Sequence, residues 1–299
     1  MKFSSIFANS AIFAALSAGI AQAQDGIEGL EVIGAPVPDG TGFQPAVTEL
    51  ARNIHWLDNM ILVIITVITL FVTGLLLAVV FKFNKKKNPE PATFTHNSPL
   101  EVAWTLIPVL ILIVIGSFSL PILFHQLEIP EADLTIKATG VQWAWEYEYP
   151  DQEVGFSAYM LGAGQANMND EVREELAEYG YSEEHWKLAT DEAMVVPVNK
   201  VVRMQIGAAD VIHSWKVPAF GVQIDGVPGR LNETWFKAEQ EGIYFGQCSE
   251  LCGKDHSYMP IVVKVVSEEV FANWVEGTMG GTMANYDSAP AAIDVANAD

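Results

Sequence analysis

Only two cysteines, Cys248 and Cys252, occur in the 299 residues. A disulfide-dense secreted scaffold is thereby excluded, and one bridge across so short a loop would add little stability to a domain of this size. No C-x-x-C-H motif is present, so the chain offers no attachment point for a c-type haem. Basic residues are also scarce: 16 Lys and Arg stand against 37 Asp and Glu, a net charge of −21. Residues 125–299 hold 29 of those acids and 10 of the bases, a balance of −19. Such a surface repels nucleic acid and anionic headgroups and raises the encounter rate of basic partners. The same charge is equally explained as a means of keeping a domain soluble.

What the sequence does have is apolar residues, at 50%, and they are bunched. Residues 1–23 have the pattern of a secretory signal. Lys2 is the basic start, Ile6 to Ile20 the apolar stretch, and Ala21-Gln22-Ala23 the small-x-small cleavage site. A third membrane helix is the competing reading, weakened by Asn9, Ser10, Ser17 and Gly19 inside the stretch. Residues 24–58 then form an exported N-terminal segment. A hairpin follows over 59–125, with helices at about 60–83 and 102–124. At ~1.5 Å rise per residue, about 24 residues cover ~36 Å, enough to cross a bilayer. Trp56 and Trp104 sit where interfacial aromatics belong. Lys82, Lys85, Lys86 and Lys87 mark the loop 84–101 as cytoplasmic, because the flanks outside the hairpin carry only Arg52. Both termini are then expected on the periplasmic side of a bacterial inner membrane. Glu101 lies at the start of the second helix, either as an acid complementing the helix dipole or as a proton-handling carboxylate near the membrane surface.

From Asp133 onward the pattern alternates, as in Leu134-Thr135-Ile136-Lys137-Ala138 and Val141-Gln142-Trp143-Ala144-Trp145. Strands are expected there and at 193–206, 211–217, 220–225, 231–238, 241–247 and 259–266. Many short strands with Gly and Pro corners imply a Greek-key sandwich or barrel over 126–277. Residues 168–192 interrupt it, with nine acids against Arg173 and Lys187 and a helix expected near 170–179. A short closing helix is expected at 268–276, and a disordered tail over 278–299.

The stretch from Cys248 to Met259 reads C-x3-C-x3-H-x2-M, and His213 lies upstream in Asp210-Val211-Ile212-His213. Two thiolates, two imidazoles and a thioether suit copper better than any hard cation. A single blue copper needs one cysteine fewer, whereas two bridging thiolates fit a copper pair. There, each ion takes one imidazole, Met259 is a weak axial ligand and a carbonyl within 249–251 is another. Zinc and a simple disulfide remain open on spacing alone.

Gly246-Gln247-Cys248-Ser249-Glu250-Leu251-Cys252-Gly253 followed by His256 and Met259, together with Asp210 to Trp215 and Val227-Pro228-Gly229-Arg230, closely resembles subunit II of the haem–copper cytochrome c oxidases. The signal and composition resemble those of alphaproteobacteria. The resemblance implies a cupredoxin-like domain holding a two-copper copper A centre. Its ligands would be His213, Cys248, Cys252, His256, Met259 and the backbone carbonyl of Glu250. The Glu250 side chain would sit on a magnesium ion at the boundary with subunit I. Trp143 would be where the electron enters, Glu148, Asp191 and Asp210 would dock cytochrome c, and Glu101 would lie at the mouth of a proton channel. Subunits I and III are the implied membrane partners, with oxygen chemistry in subunit I. The sequence departs from the family at Val141 and Ala144, where His and Tyr are often found, and at Ser157, where a docking acid often stands. Competing readings are a quinol oxidase subunit, a membrane-anchored copper chaperone or storage protein, and a structural domain with a disulfide.

Overall fold

The structure, a computed structural model, describes residues 29–279. The expected signal sequence (1–23) lies outside the described residues, as does the expected tail from residue 280 on. The chain divides into two units: Arg52–Glu128, and the residues before and after it.

The first unit is the helical hairpin. Helix α1 spans Glu49–Lys82 and α2 spans Ser98–Leu127. Both are longer than expected, and at ~1.5 Å per residue both exceed the ~30 Å hydrocarbon layer. Leu62, Val63, Phe71, Leu76, Leu110 and Leu112 are exposed along them, which in water would be untenable and in lipid is required. Asn97 caps α2 by accepting from the Leu100 backbone N–H at 3.2 Å, and Pro99 occupies the first turn, where no N–H partner is needed. The first turn of α1 belongs to the other unit: Leu50 and Ala51 are buried there. The Thr48 hydroxyl accepts from Ala51 N–H and donates to the Phe220 carbonyl.

The second unit is built of β-sheets. Strands β2 (Leu134–Val141), β3 (Ala144–Tyr149), β4 (Val154–Ala158), β6 (Val202–Ala208) and β9 (Asn232–Phe236) form one sheet in the order β4-β3-β2-β6-β9. Strands β1 (Val32–Gly34), β5 (Met194–Pro197), β10 (Gly242–Gln247) and β11 (Pro260–Val266) form the other, in the order β1-β10-β11-β5. Strands β7 (His213–Val217) and β8 (Val222–Gly226) pair as a hairpin. The non-sequential orders are those of a Greek-key sandwich, as expected. The expected strand 193–206 is in fact two, β5 and β6, one in each sheet. Asn199 turns the chain between them with φ +61°, a conformation asparagine tolerates. Strands β1 and β4 were not expected: β1 is only three residues long, and β4 is short, although its Val154, Phe156 and Ala158 alternate as buried positions.

Strand β2 alternates strictly between buried and half-buried positions, so Leu134, Ile136 and Ala138 face the core. Strands β10 and β11 do not alternate, because both their faces are covered. Tyr244, Ile261, Val263 and Val265 join the main core, while Ile243, Phe245 and Val262 pack outward. What covers the outer face is the acidic insertion. Its helix α3 (Asp170–Glu178) buries Val172 and Leu176, one turn apart, and Tyr181 follows them against Phe245. The insertion is thus charged on one side and apolar on the other. The closing helix α4 (Glu268–Met279) lays Phe271 and Trp274 on Tyr149.

Leu176 is 1% exposed, so Leu176→Ala should destabilise the globular unit by about 2–4 kcal/mol. Glu174→Gln on the exposed side of α3 should change it by less than ~0.5 kcal/mol. Thermal unfolding of the two variants checks both; equal effects would mean that the insertion is not part of the fold.

Candidate metal centre

Strands β10 and β11 are register partners to their ends, where Gln247 faces Pro260. The loop 248–259 therefore opens and closes at one point, and all but one of the expected metal ligands lie on it. Its interior is braced by the Gln247 amide donating to the Ser257 carbonyl at 2.8 Å and by Tyr258 N–H donating to the Asp255 carbonyl at 2.8 Å. Lys187 of the insertion lies over the Tyr258 ring, 5.4 Å from its centroid, and over Trp186 at 4.5 Å. His213 arrives from the start of β7 and is fully buried. Gly140 of β2 leaves room for it, since a Cβ there would lie 2.7 Å from the imidazole ring.

The side chains converge. Cys248 Sγ lies 3.9 Å from Cys252 Sγ and 3.9 Å from His213 Nδ1. Cys252 Sγ lies 3.4 Å from His256 Nδ1 and 3.5 Å from Met259 Sδ. The Cys248 thiol also reaches the Glu250 carbonyl at 3.4 Å. Both thiols, His213 and Met259 are buried, and the cysteines are free. A disulfide needs ~2.05 Å between sulfurs, so this pair is not bonded. Two metal–sulfur bonds of ~2.3 Å each span up to ~4.6 Å, so a separation of 3.9 Å lets both sulfurs share an ion. The donors are soft or borderline, which fits copper.

Electrostatics prepare the site for a cation. Burial drives both thiols up, but at Cys248 the hydrogen bonds with His213, the backbone at Ser214 and Glu250, and Cys252 together outweigh it and hold that thiol below its ordinary value. Cys252 is pushed up to about 12 by burial and by the neighbouring Cys248 charge. His213 loses by burial but gains more from Cys248 and Asp210, and its pKa is raised. Asp210 is held below the usual carboxylate range. Burial opposes this, and the hydrogen bonds from His213, Val211 N–H and Gln142 N–H overcome it. A carboxylate can only accept, so the Asp210 contact at 2.9 Å puts the proton on His213 Nε2 and aims Nδ1 at the sulfurs.

The expected strand over 141–149 is broken: Gln142 and Trp143 form the turn between β2 and β3, and this turn meets the metal loop at one carbonyl. Trp143 Nε1–H donates to Cys252 O at 3.2 Å, and the Gln142 amide donates to the same oxygen at 2.8 Å. Lys254 Nζ stands 5.7 Å from the Trp143 ring centroid. Sequence reasoning missed Gln142, Gly140 and Lys187. Gln142 sits beside Trp143 in the β2–β3 turn, but nothing in a polar residue at that position announces its two bonds.

The expected docking acids all have partners within the chain. Glu148 pairs with Lys137 at 2.6 Å, its direct cross-strand neighbour. Asp191 accepts from Tyr159 N–H and Glu192 N–H, each at 2.7 Å. Glu146, not singled out from the sequence, is raised by burial, by Glu148 and, less, by Asp210. Glu101 lies in the other unit, in the first turn of α2, and accepts from Asn97 N–H at 3.1 Å. Glu250 is exposed.

Residues 134–266 match the family described as cytochrome c oxidase subunit II, periplasmic domain, and residues 36–122 match its transmembrane domain. The chain belongs to the cytochrome c oxidase subunit II family. It is 60% identical to cytochrome c oxidase subunit 2 of Cereibacter sphaeroides over 271 residues, covering 89% of each chain. It is 39% identical to that of Cyanidium caldarium over 241 residues, covering 79% of this chain and 89% of that one. Among solved structures, the periplasmic domain of subunit II (CoxB) of Bradyrhizobium japonicum is 50% identical and covers 51% of this chain and 98% of that one, with a TM-score of 0.43. As a subunit II, the chain is a two-pass membrane protein with a copper-binding, cupredoxin-like domain, part of a haem–copper oxidase.

Two outcomes follow from the geometry. Asp210→Asn should weaken copper retention ~10- to 100-fold by loosening His213, measured by dialysis against a chelator. Copper must displace the proton that Cys252 holds up to about pH 12. Apparent affinity should therefore fall by ~10-fold per proton displaced for each pH unit lowered. Chelator competition at several pH values reads this slope; a flat profile would mean that both thiols are already ionised.

Proposed function

We propose that this subunit takes electrons from a cytochrome c at a two-copper centre and passes them to haem in subunit I, where oxygen is reduced. The observation that carries this reading is the pair of free, buried thiols 3.9 Å apart, flanked by His213, His256 and Met259. Cys248, Cys252, His213, His256, Met259 and the Glu250 carbonyl would hold the ions. A bound copper pair would supply one-electron storage with the charge change spread over two ions, so that each bond alters little.

The residues do the rest. The two thiolates balance the cations in a region closed to water. Asp210 fixes the His213 tautomer and orientation. Trp143, hydrogen-bonded to the Cys252 carbonyl, offers an aromatic face between the domain surface and the ligand loop, and the electron enters through it. The surplus of acids steers a basic cytochrome c toward the domain. Glu148, Asp191 and Asp210 contribute to that field, although each also has a partner within the chain. The exposed Glu250 carboxylate is the oxygen donor that a hard magnesium ion needs, with the remaining ligands coming from subunit I. Glu101, at the head of α2, stands as the carboxylate at a proton channel mouth. Lys82 and Lys85–Lys87 put the loop between the helices in the cytoplasm and both termini in the periplasm of a bacterial inner membrane. A chaperone or storage protein would present exchangeable ligands, whereas Cys248, Cys252, His213 and Met259 are buried.

The test is the copper-to-protein ratio and the EPR spectrum of the purified full-length subunit loaded with copper. Two coppers per chain with hyperfine structure from two equivalent nuclei is the expected result. One copper with single-nucleus hyperfine structure would replace the pair by a mononuclear site, and no retained copper would sink the reading.

A further inference from the structure

The β2–β3 turn and the metal loop are joined by more than the indole. The Gln142 side-chain amide donates to Cys252 O at 2.8 Å, a shorter contact than the 3.2 Å from Trp143 to the same oxygen. A carbonyl has two lone pairs and can accept both. The Gln142 backbone N–H donates to Asp210 Oδ2 at 2.7 Å, while Asp210 Oδ1 holds His213 Nε2 at 2.9 Å. One residue therefore ties together both sides of the centre: the His213 side through Asp210, and the Cys252 side through its own amide.

The peptide it grips needs holding. Gly253 follows Cys252 with φ +127°, a conformation that L side chains rarely adopt. A Cβ at Gly253 would lie 3.0 Å from Trp143 Cζ2 and 3.1 Å from the Gln142 amide nitrogen, so glycine is also what lets the two side chains approach. Glycine leaves the Cys252–Gly253 peptide plane free to turn, and the carbonyl is where Trp143 attaches. Gln142 is an exposed residue whose long side chain loses rotamer freedom when fixed, so the bond is retained against that cost.

We propose that Gln142 is a positioning residue: it fixes the Cys252 carbonyl and thereby the contact of Trp143 with the ligand loop. This rests on the reading of Trp143 as the residue where the electron enters. Without the Gln142 amide, the Cys252–Gly253 peptide turns, the indole loses a fixed acceptor, and the aromatic ring samples positions away from the loop. The metal ligands keep their places, because none of them is held by Gln142 alone.

The test uses the full-length chain, copper-free in detergent and then loaded in the assembled oxidase. Gln142→Leu removes the donor at similar size, and Gln142→Lys returns an N–H donor of similar reach. In copper-free protein labelled with fluorotryptophan, the Trp143 resonance is assigned by its loss in Trp143→Phe. It should broaden or split in Gln142→Leu and sharpen again in Gln142→Lys. In the loaded oxidase, kcat with reduced cytochrome c should fall ~10-fold in Gln142→Leu, as for other small misplacements of a reacting group. KM and the copper EPR spectrum should be unchanged. If Gln142→Leu does not assemble, Gln142→Asn, one methylene too short to reach, is measured in the same way. A sharp, unshifted Trp143 resonance in the variant lacking the donor overturns the proposal. Unchanged kcat in Trp143→Phe overturns instead the reading of Trp143, and the resonance still decides whether Gln142 positions it.

Discussion

Two buried thiols have to stand close enough to share a metal and yet stay unbonded to each other, and the ligand loop is arranged around that constraint. C-x3-C spacing on an unsupported loop would let the sulfurs meet and oxidise. Here Cys248 is fixed at the end of β10, and Met259 is fixed at the start of β11. The register of those strands closes the loop on itself. Backbone pairing on both sides thus fixes the two ends of the loop, while Cys252, four residues into it, is tied through its carbonyl to Gln142 and Trp143. Burial, with the neighbouring Cys248 charge, then holds Cys252 protonated, and a bound cation would offset that cost.

The same economy governs the carboxylates. A surface acid intended only to attract a basic partner needs no internal bond, yet Glu148, Asp191 and Asp210 each have one. Asp210 is the clearest case, since its two oxygens divide between His213 and Gln142, and its charge is committed to orienting a ligand. Attraction of a cationic partner then depends on the summed field of the domain more than on these three positions. Half-buried Glu146, held up by burial and by Glu148, responds to changes in that field.

The insertion between β4 and β5 has two sides with different physical jobs. Its outer side is carboxylate-rich and solvated. Its inner side places Val172, Leu176 and Tyr181 on Phe245 and Val262, sealing the outer face of the strands that flank the metal loop. Lys187 then reaches the loop itself, over Tyr258. A segment that reads as a charged interruption is therefore continuous with the packing of the ligand-bearing strands.

The sequence by itself determined the membrane hairpin, the β-rich domain and a set of soft and borderline donor residues. Each is written in local terms: long apolar runs, period-two alternation, and a C-x3-C-x3-H-x2-M run, on which copper, zinc and a disulfide stayed open until the family resemblance was added. It also displayed the acidic excess. What it did not display is contact between distant residues. The division of 193–206 into β5 and β6 depends on which sheet each half joins, and a continuous apolar run does not encode that. Strand β1, three residues long, exists because β10 accepts it. Asp210 and Glu148 read as surface charges until β2, β3 and the His213 turn bring them to partners. Gln142 was silent because its role comes from two hydrogen bonds to residues 68 and 110 positions away. Donor type is a property of side-chain chemistry and is legible one residue at a time. Ligand placement is a property of backbone register and hydrogen bonds across the fold, which only the tertiary structure decides.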